Sequence, residues 1–282
     1  MSSVGAQRAV SPPLAQQTRG GAVSLRATSI RFGGFTAVQD ITIDVAPGEF
    51  VCLLGPSGCG KSTILNAVAG FVSAVGGEVL VDRRPVKGPD VTRGMVFQST
   101  EALFPWLRVR ENIVFGPRMR RLSRSRRRQL VDYYLGLVGL SHFADRLPHE
   151  LSGGMRQRVQ IARVLANEPS VVLMDEPFGA LDAQTREVMQ HELERIWQET
   201  RPTILFVTHD INEAILLGDR IATMTAGPAG RIKDIYAVDL PRPRDEIDPA
   251  VVELHRRLRD DIGVEVSKTL RTQGLDEASD ER

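Results

Sequence analysis

The sequence predicts an α/β fold: a mostly parallel sheet covered by helices, with an antiparallel β edge layer and an inserted helical subdomain. Runs at 51–54, 171–174 and 204–207 are apolar on both faces and lead into helical patterns, as buried parallel strands do. Amphipathic β-branched stretches at 24–45 and 78–82 have the alternation of an antiparallel layer with one wet face. Between Gln98 and His149 strand formers thin out and helical spacing takes over.

Taken in order, strands are expected at SLRATSIRF (24–32), EFVCLLG (49–55), EVLVD (78–82), GMVFQ (94–98), VVLMDE (171–176), ILFVTH (204–209) and RIATMT (220–225). ENIVFG, LSRSRRRQLVDYYLGLVGL and LSHFADRLPHEL carry helical spacing and make up the inserted subdomain, about 99–160. Asp248-Pro249 reads as an N-cap followed by a first-turn proline. Leu254, Leu258 and Ile262 then share one face of a short packed helix, and the acidic DEASDER follows as a frayed tail. Residues 1–23, rich in Pro, Gln, Ser and Gly, read as a disordered leader rather than a secretory signal. That leaves 24–240 as the folded catalytic unit and 241–282 as a C-terminal helix and tail.

Net charge is +1 over 282 residues, so the overall balance does not suggest a nucleic-acid partner. No apolar run reaches the roughly 18–20 residues of a spanning helix, so any membrane role is borrowed from a partner. The 2 cysteines, Cys52 and Cys59, are too close for a disulfide framework and suggest a reducing cytosol. Cys52 reads as core. Cys59 lies where backbone donors and a helix start are expected to lower a thiol pKa. The one strong charge run, PRMRRLSRSRRR at 117–128, reads as a solvated helix face, with attraction to anionic lipid or binding to nucleic acid as the alternatives. No aromatic residues interleave it, which argues against base stacking.

Gly55-Pro56-Ser57-Gly58-Cys59-Gly60-Lys61-Ser62 matches G-x-x-x-x-G-K-[ST] between a strand and a helix. Successive backbone N–H groups and the positive end of the helix form an anion cradle. Lys61 can reach the β- and γ-phosphates, Ser62 is a Mg2+ ligand, and Thr63 follows at the helix start. The core is therefore expected to be that of a P-loop NTPase binding a nucleoside triphosphate with Mg2+. Asp175 ends a buried strand at the carboxyl edge, where it would hold the metal. Glu176 stands next, placed to orient or deprotonate an attacking water. The bland reading of both acids is strand-end punctuation.

A third feature selects among P-loop proteins. Leu151-Ser152-Gly153-Gly154-Met155 precedes a helix with Met155, Val159, Ala162 and Ala166 on one face, a second anion-binding helix start. These residues resemble the ATP-binding cassette family, whose usual motif is LSGGQ, and the resemblance covers roughly 24–240 with every motif in order. The family implies two cassettes sandwiching two ATPs, so that Ser152, Gly153 and Gly154 would face the nucleotide of a partner chain. It further implies that Gln98 joins Mg2+ and attacking water to a transmembrane partner, and that His209 senses the γ-phosphate. Phe32 would stack on adenine, and Gly179-Ala180-Leu181-Asp182 would cross the dimer seam. Taken singly, Phe32 reads as core, Gln98 and His209 as polar strand ends, and Asp182 as a helix cap.

Met155 departs from the usual glutamine, and Phe32 from the commoner tyrosine. With FPWL after Gln98 and the GPAGRI and LPRPRDE stretches, this resembles the importer ATPases for nitrate, sulfonates and taurine. The resemblance implies a homodimer on the cytoplasmic face of the inner membrane beneath two permease subunits. An extracytoplasmic solute-binding protein would deliver a small anionic solute. Phe104 and Trp106 are candidates for the permease contact, with core packing as the alternative. The competing reading is a non-transport cassette ATPase acting on ribosomes or DNA. It usually needs two cassettes or a long coiled-coil insertion, neither of which the sequence carries.

Overall fold

The structure is a computed structural model that describes residues 20–99 and 102–272. Two sheets organise it. The first is antiparallel, ordered β2-β1-β4-β5, from β1 (Val23–Phe32), β2 (Phe35–Val45), β4 (Gly76–Val81) and β5 (Arg84–Pro85). The second is ordered β10-β9-β3-β8-β7-β6, from β3 (Phe50–Leu54), β6 (Arg93–Val96), β7 (Val171–Asp175), β8 (Thr203–Thr208), β9 (Arg220–Met224) and β10 (Ile232–Ala237). Only the β10–β9 pairing in it is antiparallel. Both parts of the predicted architecture are present.

The pleat divides each central strand between two cores. Phe50, Cys52, Leu54, Val172, Met174, Ile204 and Phe206 face one side. Val51, Leu53, Val171, Leu173, Leu205 and Val207 face the other. All are essentially without solvent exposure, which is why these strands read as unbroken apolar runs. The second side is closed by α1 (Lys61–Ala69) and by the inward faces of β1, β2 and β4.

Between β6 and β7 lie α2 (Val109–Met119), α3 (Arg124–Leu137) and α4 (Gly153–Leu165), with Val109, Ile113, Leu130, Tyr134, Val159 and Ile161 in the first core. Residues 140–151, expected to be helical, instead form separate 3-10 turns at Ser141–Phe143 and Pro148–Glu150. Pro148 lacks the N–H a continuing helix needs, and Glu150 ends the segment by accepting from Leu147 N at 2.6 Å. After β7 come α5 (Ala183–Thr200) and α6 (Ile211–Leu217).

At the N-terminus, the packed chain begins before the expected strand start. Val23 is fully buried, Gly21 N–H donates to Ser170 O at 3.1 Å, and Ala22 N–H donates to Asp82 Oδ1 at 2.9 Å. The rest of the expected leader lies outside the described residues, as does the acidic tail. The C-terminal helix α7 (Pro249–Thr272) starts at the expected proline, with Ala250 N–H on Asp248 Oδ1 at 2.8 Å. Leu254 and Leu258 are buried. It is not short: it runs for 24 residues.

Among the described residues, no helix is long and apolar enough to cross a membrane. In the basic run, Arg126 on α3 pairs with Glu168 at 2.5 Å and Arg120 at the end of α2 donates to Asn167 O at 2.5 Å, so part of this charge fastens α2 and α3 to the segment after α4.

Candidate functional site

The loop 55–60 turns from the carboxyl end of β3 into α1. Gly58 and Gly60 adopt φ of 80° and 100° there, values only glycine takes without strain. A Cβ on Gly60 would also run into the Val38 side chain, so β2 presses against the loop. Lys61 is buried, and its ammonium donates to Gly55 O at 2.7 Å and Pro56 O at 2.9 Å. The lysine is thus folded over the loop it serves, its charge satisfied by carbonyls that an arriving phosphate would outcompete.

Ser62 Oγ donates to Asp175 Oδ1 at 2.9 Å, joining the start of α1 to the end of β7. Asp175 is 8% exposed. Burial raises its carboxyl pKa, Ser62 counters, neighbouring Glu176 raises it further, and Lys61 lowers it. The hydroxyl and desolvated carboxylate are hard oxygen donors at the mouth of a phosphate cradle, a set that fits Mg2+. Because folding raises the pKa above its usual 3.8, folded Asp175 holds its proton more tightly than the unfolded chain does. Its penalty appears as pH rises from 3.8 through the folded value and persists at neutral pH. Asp175→Asn is therefore expected to raise the Tm at pH 7; thermal melts of the two chains check this.

Glu176 has φ of 44°, in the left-handed region. For a side chain other than glycine this costs about 1–3 kcal/mol, a strain that clusters at functional positions. Glu176 N–H is held by Val207 O at 3.0 Å, and Gly179 N–H donates to Glu176 O at 3.2 Å. The carboxylate gathers two other candidate residues: Gln98 Nε2 donates to Oε2 at 3.0 Å, and His209 Nδ1 lies 3.3 Å from Oε1. Thus Gln98 after β6, Glu176 after β7 and His209 after β8 meet at the sheet's carboxyl edge.

Sequence reasoning missed what holds Gln98 there. Gln160 Nε2 donates to Phe97 O at 2.7 Å and to Ser99 O at 3.4 Å, and Gln157 Nε2 reaches Phe97 O at 3.3 Å. Both glutamines are buried on α4. The helix that begins with Ser152 therefore grips the backbone around Gln98. Two amides on an otherwise apolar helix face were the available signal.

Ser152 Oγ accepts from Met155 N at 3.3 Å, so it is the N-cap of α4, with Gly153 and Gly154 in the first turn. Ser152 is exposed, Gly153 and Gly154 are half-buried, and Gly154 packs near Leu181. Asp182 caps α5 through Thr185 N at 2.9 Å, and that bond holds its carboxyl below the usual range. Phe32 stands beside the tip of the β1–β2 hairpin, 50% exposed, with Phe35 opposite it. Its ring is therefore not core. Phe104 packs on Phe115 at 4.5 Å and on Trp106 at 5.6 Å, leaving Trp106 72% exposed.

Cys59 corrects one expectation. Its side chain is fully buried, and desolvation raises the thiol pKa despite the lowering influence of Lys61. The residue packs behind the loop while its backbone lines it. Cys52 is core, as expected.

The family model for ABC transporters matches residues 38–179. The nitrate import ATP-binding protein NrtD of Synechococcus elongatus is 46% identical over 86% of this chain and 85% of its own. The taurine import ATP-binding protein TauB of Roseobacter denitrificans is 50% identical over 71% of this chain and 74% of its own. Among solved structures, the dimeric post-hydrolysis state of the ATP-binding cassette MJ0796 bound to ADP and Pi superposes with a TM-score of 0.69. It shares 32% identity and covers 78% of this chain and 100% of that one. With the family model matching half of the chain and relatives at 46% and 50% identity, the chain belongs to the ABC transporter family, as one of its ATP-hydrolysing cassettes.

Proposed function

We propose that two copies of this chain close around two ATP–Mg2+ pairs beneath two permease subunits, at the cytoplasmic face of the membrane. Closure and reopening drive uptake of a small anionic solute of the nitrate, sulfonate or taurine type. The observation that carries this is the Gln98–Glu176–His209 cluster beside the phosphate loop, combined with a glycine-paired helix start whose cap, Ser152, is left exposed. The relatives named for nitrate and taurine import support the solute class.

In this reading Lys61 leaves the loop carbonyls for the β- and γ-phosphates, and the backbone N–H groups of 57–63 cradle them. Ser62 and Asp175, with Gln98 alongside, would hold Mg2+, which neutralises developing phosphate charge. Glu176 accepts a hydrogen bond from the attacking water and takes its proton as the new O–P bond forms at the γ-phosphorus and the bond from that phosphorus to the β–γ bridging oxygen breaks, leaving ADP and inorganic phosphate. His209 and Gln98 hold Glu176 in that orientation, and His209 is placed to contact the γ-phosphate. Phe32 stacks on the adenine. Ser152, Gly153 and Gly154 of the partner copy supply N–H and hydroxyl donors to the γ-phosphate, and Asp182 lies along the seam. Loss of that phosphate removes what bridges the two surfaces, so the dimer reopens. Gln98 and the exposed Trp106 pass the motion to the permease. A solute-binding protein outside the membrane supplies the cargo.

Complementation tests the shared site. Lys61→Ala chains lack a working phosphate loop, and Ser152→Arg chains lack a working cap. Only a mixed dimer contains one intact composite site, so mixing two inactive preparations is expected to restore ATP hydrolysis. No recovery from folded, mixed chains would mean that the sites are not shared.

A further inference from the structure

The segment 225–231, between β9 and β10, is packed against the back of the phosphate loop. A Cβ at Gly227 would lie 2.5 Å from Gly58 O, and one at Gly230 would run into Cys59 O. These glycines let two backbones touch, so movement of one strand of chain is movement of the other. The segment is also tied to β2, with Ala229 N–H on Thr36 O at 2.9 Å and Gly230 N–H on Ala37 O at 3.2 Å. It closes on itself through Thr225 N–H to Arg231 O at 2.9 Å and Arg231 N–H to Thr225 Oγ1 at 2.9 Å.

Gln39 N–H on Gly230 O at 3.1 Å and Arg231 with Asp40 at 3.3 Å hold it to β2 as well, and another tie comes from α7. Glu265, on the fifth turn of α7, is 2% exposed and accepts from Ala226 N–H at 2.9 Å through Oε2. Its other oxygen receives Lys268 at 2.8 Å and Lys233 at 3.1 Å, and Lys233 is shared with Asp261 at 2.8 Å. Burial alone would push the Glu265 carboxyl up, but Lys268, the Ala226 N–H and Lys233 together hold it down at about 2. A carboxylate committed to one backbone N–H and two ammonium groups is more than a cap on a surface helix needs. A charge-assisted bond of this kind is shorter and stronger than a neutral one, and it fixes the position of what it holds.

We propose that Glu265 is a positioning residue for the phosphate loop. Through Ala226 it clamps segment 225–231 against Gly58 and Cys59, so that α7 sets how tightly the cradle holds ATP. The inference rests on the ATPase reading of the loop and adds the C-terminal helix to its support. The turn of α7 bearing Glu265 lies past Leu258 and Ile262, where it meets Ala226.

The test is a graded series at this position in the full-length chain, with KM, kcat, nucleotide affinity by titration and melting measured together. Glu265→Ala is expected to raise KM and the Kd for ATP about ten-fold, near 1.4 kcal/mol, with kcat within about two-fold. Glu265→Gln keeps an oxygen for Ala226 but releases the lysines, and is expected to raise both about three-fold. If Glu265→Ala fails to fold, the Glu265→Gln shift decides. Nucleotide affinity equal to wild type in a folded Glu265→Gln, or a lowered Tm and kcat with KM unmoved, would overturn the proposal. A wild-type chain that itself neither binds nor hydrolyses ATP would instead refute the underlying ATPase reading.

Discussion

Glu176→Gln is expected to lower kcat for ATP hydrolysis by a factor of about 10²–10³ or more, while nucleotide still binds. The side chain is isosteric and keeps one oxygen, so it preserves shape while removing the proton acceptor. Two contacts need separate consideration. Gln98 Nε2 donates to Oε2 at 3.0 Å, and an amide oriented with its oxygen there retains that bond. The amide NH2 then faces His209, 3.3 Å from the other position, which accepts it only through a neutral Nδ1. The local frame is therefore expected to survive, and the loss to fall on chemistry. Stopped at the ATP-bound stage, the variant is expected to accumulate the closed dimer. A variant that hydrolyses ATP at the wild-type rate would remove Glu176 from the reaction.

Lys61→Ala is expected to weaken ATP binding by about 100-fold or more, near 2.7 kcal/mol, read by titration of a fluorescent nucleotide. The magnitude follows from the loss of charge-assisted bonds to phosphate at a site 6% exposed, where water replaces them poorly. The same substitution leaves Gly55 O and Pro56 O without the ammonium they now share. A parallel melt is therefore needed to show that the loop is still present. Lys61→Arg separates the two effects: it restores charge but not the compact reach of an ammonium folded over a tight loop. It is expected to recover stability before affinity.

The features legible in the sequence are those encoded locally. Val51 to Leu54, Val171 to Met174 and Ile204 to Val207 announce buried strands because both faces of each strand are covered. The phosphate loop is readable because its backbone geometry demands Gly58 and Gly60 in sequence order. Asp182 and Ser152 carry their capping roles in the next three residues.

What was illegible depends on partners far along the chain. Glu265 looks like any helix glutamate until Ala226 and Lys233 arrive beside it. Gln157 and Gln160 stand out on an apolar helix face, but their partner, Phe97 O, is some 60 residues away in the chain. Cys59 was misread for the opposite reason: the nearby helix start was visible, but the packing that desolvates its thiol was not. The 3-10 turns at 141–150 kept a helical apolar rhythm that Pro148 interrupts.

In the proposed cycle one nucleotide is held by two chains, and the mass of Glu176→Gln in solution reads this out. Light scattering behind a sizing column is expected to read a monomer without nucleotide and a dimer with ATP and Mg2+. If the loaded, hydrolysis-dead protein remains at monomer mass even with its permease subunits present, the exposed start of α4 has no nucleotide to meet, and the proposed closure does not occur.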